Sequence, residues 1–402
     1  MKKEILNKVI IVTPFPNEKS NEVEFSALGS YTKNLLQLIS DLFEEVIVFS
    51  QKSNKTYCEQ NISVSPIWDR NSFVLAPLQI FFKTFNLRNY IYFFQHELNV
   101  FSSNLIISTL NFNFAQLLVR LFISNRLITT IHGVIPFYEL NKAFLSKNNL
   151  SKYPLSLIKL YLFLHFRFID LFSTKIVVHN NLVFNSLVND YKFKSSKINL
   201  IPHPLYSVKG NSKNEVLNKL LGKNKKIVMF FGHLANYKGL NIFTESYDYL
   251  EDKNEYIFYI IGSKPSRLKD DSNYNSWLDK IIESSQGKDI NFDIRYLPDS
   301  EIKHTFQNVD LLVLPYTEVF SSSGPLAYSV KLKLPFLAST KFSPFIHKDF
   351  LFELTPQSIA ANISDYFSNE KRRESIRKNI QELTKEWGDN SIIEKYKQLF
   401  TI

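Results

Sequence analysis

Two stretches of the sequence hold residue types that can grip an anion. The first is Phe230-Phe231-Gly232-His233-Leu234-Ala235-Asn236-Tyr237-Lys238-Gly239-Leu240. It leaves an apolar run and enters a helix-like one. A lysine there can neutralise a phosphate charge, while Gly232 and Gly239 let backbone approach closely. A solvated lysine in an ordinary turn is the alternative. The second stretch is Leu314-Pro315-Tyr316-Thr317-Glu318-Val319-Phe320-Ser321-Ser322-Ser323-Gly324-Pro325. Ser322 or Ser323 suits a helix N-cap, and a Ser-Ser-Gly turn offers free N–H groups and a positive dipole end. Plain capping is the alternative. Glu318 can accept hydrogen bonds from hydroxyl groups or stand as a surface charge.

Histidines come next. His132 ends an apolar run and precedes Gly133; a structural role is its alternative. His203, between Pro202 and Pro204, reads as a hinge residue, and His179 carries no assignment. No His/Asp/Glu group has metal-ligand spacing, and no Asp-x-Asp is present. Cys58 is the single cysteine, so neither a disulfide framework nor a cysteine metal site can form. No metal and no cofactor is expected.

The elements that must position these loops read as strand–helix alternation. Expected strands are Val9–Thr13, Glu45–Phe49, Leu105–Ser108, Leu127–Ile131 and Lys175–Val178, with helix-like stretches Tyr31–Leu42, Gln79–Phe101, Phe114–Phe122 and Leu155–Phe172. The grammar restarts after residue 210. Strands are expected at Ile227–Phe231, Tyr256–Ile261, Ile290–Leu297, Leu311–Leu314 and Phe336–Ala338. Helices are expected at Leu240–Tyr249, Trp277–Ser284, Ser300–Gln307 and Leu326–Lys331. Continuous apolar strands between helices argue for parallel, doubly wound α/β sheets. Ile201-Pro202-His203-Pro204 and the polar stretch after it make the boundary between two domains. In such sheets ligands sit beyond the C-terminal strand ends.

Composition bounds the class. The 402 residues exceed what one core usually supports. Net charge is +10, and residues 1–200 hold 21 Lys/Arg against 13 Asp/Glu. Residues 101–200 alone carry 11 basic and 3 acidic groups. That asymmetry points to an anionic partner for the first half: a membrane surface, a phosphorylated acceptor or nucleic acid. Within 141–170, Lys142, Lys147, Lys152, Lys159 and Arg167 lie among Leu, Tyr and Phe, as in a basic helix on a membrane or a core helix with a solvated face. No uncharged apolar run reaches the length of a membrane span, and the N-terminus lacks signal-peptide features.

The order of motifs resembles glycosyltransferase family 4. FFGHLANYKGL (Phe230–Leu240) is followed by IIG (Ile260–Gly262), by the stretch from Tyr296 to Tyr316, and by SSSGPLAYSVKLKLPFLAS (Ser321–Ser339). In the first half, ALGSYTKNLL (Ala27–Leu36), TTIHG (Thr129–Gly133) and KIVVHNNLVFNSLV through KINLIPHP (Lys175–Pro204) are similar to the family's first loop, donor-sugar histidine and last strand. EWGDNSIIEKYKQLF (Glu386–Phe400) is similar to its terminal helix. The resemblance implies the GT-B fold: two Rossmann-like domains, 1–205 and 206–384, facing a deep cleft, with 385–402 crossing back to the first. It implies transfer of a sugar from a UDP- or GDP-sugar to a glycan or lipid-linked acceptor, with retention, of hexosyltransferase type, in bacterial surface polysaccharide biosynthesis. The expected location is the cytoplasm, peripheral at the inner membrane face, with no nucleic-acid partner.

Roles follow from the resemblance. Lys238 contacts the donor diphosphate, helped by backbone at Gly232, Ser322, Ser323 and Gly324. Tyr296 and Leu297 flank the base, Gly29 lets the first loop approach, His132 lies near the donor sugar, and Glu318 contacts sugar hydroxyls. Two departures stand out. His233 replaces the family's usual Arg, and imidazole is a weaker phosphate ligand than guanidinium. The usual second glutamate falls at Leu326, or near Tyr328 counting back from Pro335. An inactive GT-B module and a GT-B nucleotide-sugar epimerase are the rival readings.

Overall fold

Strands that are apolar at every position need cover on both faces, and the first sheet is built that way. The computed structural model describes residues 8–15, 27–52, 56–69, 72–147, 150–205, 208, 210–265, 268, 270–319 and 323–401. The chain divides into two compact units. One comprises the residues up to Pro204 and those from Asp389 onward; the other comprises Leu205–Val319 and Ser323–Gly388.

The first unit runs Val9–Val12 (β1), Ala27–Ile39 (α1), Val46–Gln51 (β2), Tyr57–Glu59 (β3), Ile62–Trp68 (β4), Leu75–Thr84 (α2), Ile91–His96 (β5), Leu105–Phe122 (α3), Leu127–Ile131 (β6), Lys142–Lys147 (α4), Leu155–Phe172 (α5), Lys175–Val178 (β7), Asn181–Asn189 (α6) and Ile198–Leu200 (β8). The second runs Glu215–Leu221 (α7), Lys226–Phe231 (β9), Leu240–Ser246 (α8), Tyr256–Ile261 (β10), Ser272–Ser284 (α9), Ile290–Asp293 (β11), Asp299–Gln307 (α10), Leu311–Leu314 (β12), Gly324–Leu332 (α11), Phe336–Ser339 (β13), Leu351–Phe352 (β14), Pro356–Ser368 (α12) and Glu370–Glu386 (α13). Asp389–Phe400 (α14) returns to the first unit.

The first sheet has the order β3-β4-β2-β1-β5-β6-β7-β8, parallel except at β3–β4. Side-chain alternation divides its core. Val9, Ile11, Ile91 and Phe93 face α1 and α14, while Ile10, Val12, Tyr92 and Phe94 face the layer of α2, α3, α5 and α6. Phe400 of α14 sits 4.9 Å from Phe43 and 5.4 Å from Phe93, and Lys175 Nζ donates to Leu399 O at 2.9 Å. The second sheet, β11-β10-β9-β12-β13-β14, is wholly parallel around one continuous core. Its strand order reverses between β9 and β12, the crevice where doubly wound sheets take ligands.

Three local expectations change. Leu105–Ser108, read as a strand, is the first turn of α3, because Asn104 caps that helix by accepting from the amides of Ile106 and Ile107. The strand in that region is β5, inside the stretch Gln79–Phe101 that reads as helix. Gly29, expected in a loop, is buried in the first turn of α1. The stripe Leu28, Tyr31, Leu35 and Ile39 carries that helix onto the core from its start.

Candidate functional site

The crevice between β9 and β12 gathers two loops into one structure. β9 ends at Phe231, and Gly232 follows with φ +119. A Cβ on Gly232 would stand 2.7 Å from Lys238 Nζ and 3.3 Å from Pro325 Cγ. The bare glycine therefore seats the lysine head against the start of α11. Gly262, at the end of β10, lies so close that a Cβ would fall 1.7 Å from Gly232 O. Gly262→Ala is expected to push the two strand ends apart, costing about 2–4 kcal/mol of stability in denaturant unfolding. A loss below about 1 kcal/mol would remove this account of the close approach.

Lys238 ends a short turn, Asn236–Lys238, whose carboxyl side is Gly239 at φ +71. A Cβ on Gly239 would meet Pro315 O at 2.0 Å, and Thr317 N donates to Tyr237 O at 2.8 Å. The β9 and β12 loops are thus tied together directly. Lys238 is 6% exposed, with Nζ 5.1 Å over the Tyr316 ring. Among the described residues its ammonium has no carboxylate or hydrogen-bond partner. Burial draws its pKa down, against a smaller opposing effect of Tyr237. A buried cation in that state is costly unless an anion arrives.

The start of α11 faces the same place. Ser323 is the N-cap, its Oγ accepting from Leu326 N at 3.4 Å. Pro325 has no N–H, and Ala327 N donates to Ser323 O at 3.0 Å. The helix thereby leaves the Gly324 amide at its positive end without an intrahelical acceptor. His233 bonds Ser263 through Nδ1 at 3.0 Å; burial and then the Lys238 charge hold its pKa below the usual value, so the ring is neutral near pH 7. A lysine, a helix terminus and a neutral imidazole around bare glycine backbone can hold a diphosphate.

Tyr296 and Leu297 lie between β11 and α10. Arg295 fixes this loop with two bonds to Glu301, at 3.1 and 2.6 Å, and with Nε to Asp293 Oδ1 at 2.9 Å. Tyr296 is exposed overall, and partial desolvation of its phenol, then Asp299, push the hydroxyl pKa up to about 12. Leu297 is a core residue, so its main chain is what a ligand could meet. Glu318 is half-buried two residues past Tyr316. Ser322 lies outside the described residues. Tyr316, Gly262, Ser263 and Pro325 were not singled out from the sequence. The "IIG" and "LPY" runs that hold Gly262 and Tyr316 were the available signals.

In the first unit the C-terminal strand ends carry a row of histidines: His96 on β5, His132 after β6, His179 after β7 and His203 after β8. His132 Nε2 bonds Gln95 Oε1 at 2.9 Å, and its ring meets Tyr31 edge-on at 4.4 Å and His179 at 5.0 Å. His203, read as a hinge, is packed on Tyr31 at 4.8 Å and His179 at 5.4 Å. Tyr31 in turn bonds Tyr396 of α14, oxygen to oxygen, at 2.8 Å. Burial first, then neighbouring histidines, hold His132 and His179 neutral; burial alone lowers His203, to about 4. Next to this row Glu97, the residue after β5, has its carboxyl pushed up to about 7 by burial. No group of His, Cys, Asp and Glu suited to a metal occurs among the described residues.

The sequence model of the family described as "Glycosyl transferases group 1" matches residues 212–383, which lie in the second unit. No curated protein sequence matches the chain. Among solved structures, HepE of Anabaena in complex with UDP and glucose is similar at TM-score 0.66 and 12% identity, covering 98% of this chain and 99% of that one. Sucrose-phosphate synthase of Thermosynechococcus elongatus is similar at 0.70 and 11%, covering 98% of each chain. The alpha,alpha-trehalose-phosphate synthase (UDP-forming) of Burkholderia xenovorans, in complex with glucose-6-phosphate, is similar at 0.66 and 8%, covering 98% and 100%. These likenesses give the fold, which is GT-B.

Proposed function

We propose that the chain is a glycosyltransferase that holds the diphosphate of a nucleotide-sugar between Lys238 and the start of α11. The observation that carries this is the buried Lys238 ammonium, without an anionic partner among the described residues, at the crevice of the unit matched by the group 1 family. A UDP-sugar is the first donor to test, because HepE was solved with UDP and glucose.

In the proposed reaction the bond from the sugar's anomeric carbon to the diphosphate oxygen breaks, an acceptor hydroxyl oxygen bonds to that carbon, and the hydroxyl's proton passes to the released diphosphate. Charge builds on the leaving diphosphate as the sugar takes on oxocarbenium character. Lys238 and the Gly324 amide meet that charge where water is scarce, with His233 beside them as a neutral ring. The counter-charge comes from protein, so turnover is expected to survive a chelator.

The finer assignment rests on the sequence resemblance: family 4, retention of configuration, hexosyl transfer, and a glycan or polyprenyl-linked acceptor in surface polysaccharide assembly. The same holds for a cytoplasmic location at the inner membrane face, where the basic first half supports an anionic surface. One observation favours an inert module instead. Leu326 is in the core and Tyr328 packs on Phe231 and Phe306, so neither presents a carboxylate. A panel of UDP- and GDP-sugars, with and without lipid-linked acceptor, separates the readings. Donor consumption is expected. Stabilisation by nucleoside diphosphates with no turnover of any donor would make this an inert module.

A further inference from the structure

Large apolar side chains are not spread evenly over this protein's surface. In the first unit they gather on one layer, that of α2, α3 and α5, which packs on a single face of the sheet. Each helix buries one stripe there and shows another outward. On α2 the exposed residues Leu75 and Phe82 recur at helical spacing and lead to Phe85 just beyond the helix end. On α3 they are Ile106, Leu110, Leu121 and Phe122. On α5 the stripe Leu157, Leu160, Leu164 and Leu171 recurs every three, four and seven residues, with Arg167 filling the gap.

The stripes join. Phe81 touches Phe82, Phe85 and Phe122, with ring centroids 5.6–6.1 Å apart, which bridges α2 to α3. Thr109 and Tyr161 share a hydrogen bond that joins α3 to α5. Three helices side by side make a surface roughly 27 Å long and 20 Å across. A contiguous apolar face of that size marks an interaction site. Its breadth suits a sheet-like partner better than a peptide.

Charge names the partner. α2 and α3 contain no Asp or Glu, and the one carboxylate of α5, Asp170, is buried and held by Arg167 and Lys197. Cations stand around the apolar face. Lys83 is exposed at the end of α2, Arg88 lies over the Phe85 ring at 5.4 Å, Arg120 ends α3, and Lys152 precedes α5. A second copy docked about a twofold axis would bring Lys83, Arg88 and Arg120 against a face that has no carboxylate on α2 or α3 to pair them. An anionic lipid surface matches both the apolar and the basic parts.

α3 is long and apolar enough to cross a membrane, yet it is fastened as a core helix. Gln116 Nε2 donates to Thr129 Oγ1 of β6 at 2.7 Å, and Asn111 holds Val74 N at 2.9 Å and Ser72 O at 2.6 Å. A bilayer would meet its outer stripe only. We propose that the outer face of α2, α3 and α5 docks this protein flat on an anionic bilayer, dipping Phe82, Leu121 and Leu164 into the headgroup region. This rests on the membrane reading above and names the surface that serves it. The basic aromatic stretch 141–170 contributes leucines and Arg167 of α5, and Lys152 just before it.

The test uses the full chain in co-sedimentation with phosphatidylglycerol–phosphatidylcholine vesicles and with phosphatidylcholine vesicles alone, at low salt. The wild type is expected to sediment with the anionic vesicles and to stay in solution with the neutral ones. Phe82→Ser/Leu121→Ser/Leu164→Ser and, separately, Lys83→Glu/Arg88→Glu are each expected to lower partitioning about tenfold or more. All five side chains are exposed or rim residues, and a circular dichroism spectrum like the wild type's confirms the fold of each variant. Wild type that binds neither vesicle overturns the membrane reading and this surface together. Equal binding by wild type and the triple variant overturns the surface alone. A lipid-free dimer in sedimentation velocity that the triple variant abolishes assigns the face to a second copy and overturns the proposal.

Discussion

Lys238→Met is expected to leave the ligand-free protein as stable as the wild type or more so, and to abolish its stabilisation by nucleoside diphosphates. The two effects have opposite signs, which is what makes the result informative. In the ligand-free fold Lys238 is a cost. The residue is 6% exposed, and its ammonium has the Tyr316 ring for company and lacks an anionic partner among the described residues. A methionine of similar length fills the same space over Gly232 without a charge to desolvate. Replacing an uncompensated buried charge by an apolar group is commonly neutral or stabilising.

With a diphosphate present the balance reverses. A charge-assisted bond to a phosphate oxygen is worth about 2–3 kcal/mol. The variant should therefore bind nucleoside diphosphate about 30- to 200-fold more weakly. If transfer occurs as proposed, kcat/KM should fall by about 10²–10³, the usual effect of losing one donor to a developing anion. Thermal unfolding with and without UDP or GDP reads both halves. Had Lys238 been a structural lysine, the variant would lose stability without ligand and keep its shift with ligand. That outcome would move the phosphate site elsewhere.

Periodicity carried much of this fold, and its failures have physical causes. Ile91-Tyr92-Phe93-Phe94 is buried on both faces, so β5 shows no alternation to distinguish it from a helix core. Ile106 and Ile107 are β-branched and read as strand, although Asn104 just before them was a legible cap signal. The two loops proposed to hold a diphosphate were legible as candidates because glycine with lysine in one, and serine with glycine in the other, follow a strand end there. What the sequence could not give was the crossing of those loops. Gly239 on Pro315 and Gly262 on Gly232 are contacts between segments distant in sequence, the first set by β12 lying beside β9 and the second by the pairing of β10 with β9. Tyr316 was invisible as a partner of Lys238 for the same reason. Single histidines at successive strand ends likewise look ordinary one at a time. Only the order β5-β6-β7-β8 lines them up.

That row of histidines, with His165 of α5 bonded to His96, predicts an early acid transition in the first unit. His165, His179 and His203 have folded pKa values lowered to about 3, 3 and 4, chiefly by burial, and His96 and His132 are lowered well below 6.5. The unfolded chain binds protons at these rings from about pH 6.5 downward, whereas the fold refuses them. Stability is therefore fully present above about pH 6.5 and falls as the pH drops toward the folded values. At pH 5 each of the first three costs about 2 kcal/mol, roughly 6 kcal/mol together. Glu97 works the other way. Its folded pKa is raised to about 7, so it takes its proton earlier in the fold than in the unfolded chain and returns about 2–3 kcal/mol by pH 5. The net loss is at least about 3 kcal/mol before His96 and His132 add theirs, a large share of an ordinary domain's stability. Denaturant unfolding at pH 8, 6.5 and 5 (about one step per protonation regime) measures it. The double variant His96→Phe/His165→Leu removes a buried pair bonded at 2.9 Å and both titrating rings at once. Its stability should depend on pH less steeply between pH 6 and pH 5, by about 1 kcal/mol per pH unit from His165 alone, with His96 adding in the same direction. Stability that stays level from pH 8 to pH 5 in the wild type would mean that these rings accept protons within the fold, and that the strand ends of the first unit are wet rather than dry.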